Sequence, residues 1–67
     1  MSEPKFLILN EGMIRRTIAL DNIASATPEG MCTRIVLKEM KDGDNVNFLA
    51  NEPYQNIEGA ISRLSNS

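Results

Sequence analysis

The sequence predicts an α+β domain: a four- to five-stranded antiparallel meander with one C-terminal helix packed on one face. Two observations carry this. Between Lys5 and Ala50, short β-branched or alternating segments are separated by turns bearing Gly, Pro, Asn or Asp. Beyond Ala50 the apolar period changes, and Tyr54, Ile57, Ile61 and Leu64 recur at helical spacing.

The elements follow in order. Lys5 to Asn10 is short and apolar, the pattern of a strand. Asn10-Glu11-Gly12 is a tight turn in which Gly supplies a positive φ. Met13 to Leu20 is the next strand, with Ile14, Arg16, Ile18 and Leu20 on one face and Met13, Arg15, Thr17 and Ala19 on the other. Asp21-Asn22 is a bend, after which Ile23 to Ala26 continues as strand; Thr27-Pro28-Glu29-Gly30 is the second turn. Thr33 to Met40 is the most β-branched segment, Lys41-Asp42-Gly43-Asp44 a third turn, and Asn45 to Ala50 the last strand. Asn51 suits the helix N-cap, Pro53 its first turn and Glu52 the positive end of its dipole. Gly59 costs about 1 kcal/mol mid-helix relative to Ala, and its place there suggests close approach to the sheet.

One helix covers one sheet face. Ile14, Ile18, Leu20, Ile35, Leu37, Val46 and Phe48 are assigned to it. The other face still carries Met13, Ala19, Val36, Met40 and Leu49, with two of the residues from Phe6 to Leu9. A contiguous apolar patch of that kind marks an interface.

Length and composition narrow the classes. The 67 residues form a single expected domain, 1–67, with residues 1–4 and 65–67 frayed. A chain this short has a core contributing roughly 3–5 kcal/mol net. Cys32 is alone, so no internal disulfide adds to that. With no His and one Cys there is no zinc set, and neither metal nor cofactor is expected. Good packing or self-association remains. The apolar run Phe6-Leu7-Ile8-Leu9 is too short for a signal peptide or a membrane span, and a lone thiol suits a reducing cytoplasm. A net charge of −2 argues against a dedicated phosphate-backbone binder.

Catalytic constellations are missing. The chain has no His to act as general base or to activate Cys32. Asp42-Gly43-Asp44-Asn45-Val46-Asn47 begins like a calcium loop but places Val46 and Asn47 where an oxygen ligand and Gly are required. It reads as a polar hairpin turn. Arg15, Arg34 and Lys38 share the open face on simple alternation, a small basic group able to meet phosphate or an acidic partner. No aromatic is interleaved with it for base stacking. Arg16 falls on the core face between Ile14 and Ile18. It is expected to snorkel at an edge, to pair with an acid such as Glu39, or to contact an anion.

Leu9-Asn10-x-Gly12, the segment Ile18-Ala19-Leu20-Asp21-Asn22-Ile23, Thr33-Arg34-Ile35-Val36-Leu37, a Gly-containing turn and a helix opened by Asn51-Glu52 together resemble the small FlbD-like family, found also in phages. A looser similarity exists to the sheet of LytTR-type DNA-binding domains. The resemblance implies this fold and a regulatory or phage-accessory role; it carries over no site residue. The expected function is therefore a non-enzymatic interaction module. It binds itself, as a dimer, or a protein partner through Met13, Arg15, Arg34, Val36, Lys38, Met40 and Leu49, or through an edge strand. The alternatives are nucleic-acid binding through Arg15, Arg34 and Lys38, and an oligomeric binder of nucleotide-like ligands.

Overall fold

A computed structural model describes residues 4–66. The expected fraying of residues 1–3 and 67 lies outside them. Among the described residues the order is β1 (Phe6–Glu11), β2 (Ile14–Ala19), a single 3-10 turn (Leu20–Asn22), β3 (Ile23–Glu29), β4 (Cys32–Lys41), β5 (Asp44–Ala50) and α1 (Tyr54–Ser65). The α+β class is as expected. The strands, however, divide into a two-stranded sheet, β1-β2, and a three-stranded sheet, β3-β4-β5, all antiparallel.

Turn chemistry fixes the hairpins. Asp42 and Gly43 both have positive φ, 55° and 87°, as a two-residue type I′ turn requires. Gly12 has φ 60° and is followed by Met13 at the β1–β2 turn, so Met13 is a turn residue rather than the start of a strand. The turn expected at Thr27-Pro28-Glu29-Gly30 falls later, at Gly30-Met31, and β3 runs through Pro28. Proline is tolerated there because β3 is an edge strand.

One core joins both sheets and the helix: Leu7, Leu9, Ile18, Ile35, Leu37, Phe48, Ala50 and Ile57. Of the expected core face, Ile18, Ile35, Leu37 and Phe48 are buried, while Leu20 and Val46 are half-buried. Ile14 is 59% exposed, because the hairpin end of β2 projects past the core. Cross-strand register puts Leu7 opposite Ile18 and Phe48 opposite Ile35, so each sheet contributes one apolar face. At the C-terminal ends of β1 and β5 the Asn51 N–H donates to the Asn10 carbonyl, at 2.7 Å.

The register of β4 on β5 shifts between Val36 and Met40, which interrupts the ladder. Two asparagines satisfy backbone groups there: Asn45 Nδ2 donates to the Leu37 carbonyl (2.8 Å), and Asn22 Oδ1 accepts from the Glu39 N–H (3.2 Å).

The helix start differs from expectation. Pro53, not Asn51, is the N-cap, and it offers no side-chain bond. Asn51 Oδ1 accepts instead from the Gly12 N–H at 3.1 Å, tying the first hairpin to the chain entering α1. The hydroxyl of buried Thr33 donates to the Glu52 carbonyl at 2.8 Å. At the other end, Lys5 Nζ donates to the Leu64 carbonyl at 2.5 Å, a cation at the negative end of the helix dipole. Ser65, expected as part of a loose end, closes the helix, and the Asn66 N–H donates to the Ser62 carbonyl. Gly59 makes no close approach to the sheet: a Cβ there would meet only the Arg63 guanidinium, at 3.6 Å.

Candidate functional site

Two surfaces stand out. The first is the outward side of β1. Leu7 and Leu9 point into the core, so alternation turns Phe6 and Ile8 outward, and both are more than half exposed, at 52% and 60%. Phe48 and Ala50 point inward on β5, which turns Leu49 outward, directly opposite Arg34 of β4. Leu49 and Val36 are half-buried.

The sequence-predicted partner residues divide on this framework. Arg34, Val36 and Leu49 come together on the outward side of β4 and β5. Met13 sits at the β1–β2 turn, near the C-terminal end of β5, whereas Met40 lies beside Asn45 at its other end, so those two do not share a patch. Arg15 lies on β2, in the other sheet from Arg34, and Lys38 is exposed within the irregular part of β4. Of the three basic residues, Arg34 and Lys38 thus share a strand, and Arg15 belongs to the two-stranded sheet.

Arg34 is already engaged. Its Nε donates to Glu29 Oε2 at 2.9 Å, and Nη1 donates to Asn47 Oδ1 at 3.3 Å. The hydrogen bond from Arg34 holds the Glu29 carboxyl below its ordinary pKa, and the same bond to Glu29 raises that of Arg34. Arg16 pairs with Glu11, not Glu39: its Nε lies 2.6 Å from Glu11 Oε1, and its guanidinium stacks 4.9 Å from the centre of the Phe48 ring. That contact explains a charged residue on the core side of β2. The cation roofs an aromatic ring at the margin of the core.

The second surface is a groove of about 360 Å³ between the edge strand β3 and α1. One wall is four consecutive residues, Ile23 to Ala26; the other is Tyr54, Glu58, Ile61 and Ser62, one helix face. A further hollow lies on the other side of Tyr54, beside Pro28, Met31 and Pro53. Sequence reasoning assigned Tyr54 and Ile61 to the core stripe and passed over Glu58 and Ser62. The signal it lacked was that β3 is an edge.

Cys32 is a free, half-buried thiol at the start of β4. Among the described residues no group of three or more His, Cys, Asp or Glu is placed to hold a metal, and no helix is long and apolar enough to cross a membrane. No protein-family model matches the chain, and neither does any curated protein or solved structure.

Proposed function

We propose that the chain is a non-catalytic interaction module that pairs with a second copy of itself through the outward side of β1. The observation that carries this is the neighbouring exposure of Phe6 and Ile8 on one side of a single strand. Burying side chains of this size is worth roughly 1.5–3 kcal/mol each. That is comparable to the net stability of roughly 3–5 kcal/mol that so small a core supplies. With one cysteine and no histidine, the chain has no disulfide or zinc set to make up the difference. The absence of any histidine also favours a binding role over a catalytic one. A small regulatory or phage-accessory protein of the FlbD-like kind is in keeping with such a module.

Sedimentation equilibrium tests this. The wild-type chain is expected at twice its sequence mass at high micromolar concentration. Ile8→Lys is expected at the single-chain mass with an unchanged far-UV spectrum. A wild-type protein that stays at the single-chain mass into the millimolar range overturns the proposal.

A further inference from the structure

We infer that the groove between β3 and α1 is a second, independent binding site, which takes a short extended peptide segment carrying a lysine or arginine opposite Glu58. The argument starts at the backbone. Among the described residues β3 is the edge of its sheet, bonded to β4 on one side only. An unpaired edge is a template for an added strand. Here the edge forms one wall of a groove, and α1 provides the other. The side chains of Ala24, Ser25 and Ala26 are small enough to let another backbone come close, while Tyr54 and Ile61 supply apolar contact.

The ends of β3 limit what can pair. The register against β4 shifts between Ile23 and Ser25, a bulge at Ala24. Pro28, which has no N–H, lies at the other end. Between them Ser25, Ala26 and Thr27 remain regular, a stretch suited to a few residues of incoming chain. Bulges and prolines are the devices that keep two copies of one edge from zipping together, so a second β3 is a poor occupant.

Charge points the same way. Glu58 is the ionisable residue of the groove besides the Tyr54 phenol, and among the described residues it has no ion-pair partner. The Arg63 guanidinium lies beside Gly59, 3.6 Å from where a Cβ there would sit, and makes no ion pair with Glu58 among the described residues. Asp21 stands exposed just before β3. A second copy would bring its own Asp21 and Glu58 and set like charges together, whereas a segment with one basic side chain meets an uncommitted carboxylate.

The test is selection of a displayed random heptapeptide library on the immobilised full chain, in parallel with Glu58→Lys. Glu58 is an exposed helix position, so the variant is expected to fold, and circular dichroism checks that it does. Wild type is expected to enrich β-branched peptides with a basic residue at a fixed position. The variant is expected to enrich acidic ones and to bind the best wild-type peptide about tenfold more weakly. Titrating that peptide into isotopically labelled wild-type protein should shift the amides of Ser25 to Thr27 and of the Tyr54–Ser62 helix face. The same shifts are expected in Ile8→Lys, which separates this site from the dimer surface. Failure to enrich peptides, an unchanged consensus with Glu58→Lys, or shifts confined to β1 and β5 would each overturn the inference.

Discussion

Thr33 is the polar residue buried among the described residues of the core, and its hydroxyl holds the carbonyl of Glu52. The bond spans from the start of β4 to the segment entering α1, where the N-cap Pro53 contributes no side-chain bond. Thr33→Val keeps the shape and removes the donor. It is expected to lower stability by about 1 kcal/mol, read as a lower urea midpoint with unchanged slope. Asn51 shows how a residue can be legible in type but not in role. Asparagine before a helix reads as a cap, because its side chain accepts amide bonds. Here it does accept one, but from Gly12, some forty residues away in the chain. No local pattern contains that partner. Arg16 is a similar case. Its place among apolar neighbours is visible in the sequence, while the Phe48 ring beneath it comes from another sheet.

At the scale of elements, hairpins and helix were legible because their signals are local. Asp42-Gly43 demands its turn, and the stripe of Ile57, Ile61 and Leu64 demands a helix. Pro28 was misleading, since proline punctuates turns and is equally at home on an edge strand, and only the strand order decides which. That order also hid the groove: a strand becomes a binding edge through what does not lie beside it. The helix carries a separate expectation. Gly59 leaves room for a methyl group, so Gly59→Ala should raise stability by about 0.5–1 kcal/mol, measured as an increase in the melting temperature. The gain comes from the unfolded chain losing freedom, not from a new contact.

For the whole molecule, parity assigned the two faces of each strand correctly over most of the sheet, yet the division into two sheets was not foreseeable. Nothing in the segments themselves says that β1 meets β5 only at one end. That meeting has a consequence for how the molecule comes apart. The β1-β2 hairpin is held to the rest by core side chains, by Lys5 at the end of α1, and by the bonds of Asn51. The three-stranded sheet has two full ladders. Proteins open in cooperative units whose free energies differ. The hairpin, residues 6–19, is therefore expected to detach first, pivoting about the Leu20–Asn22 turn while β3, β4 and β5 stay paired. Native-state hydrogen exchange should show β1 and β2 amides losing protection together, ahead of Ile35 and its neighbours, with uniform protection across both sheets as the contrary result. A hairpin that can swing out on such a pivot is also one that two chains can exchange.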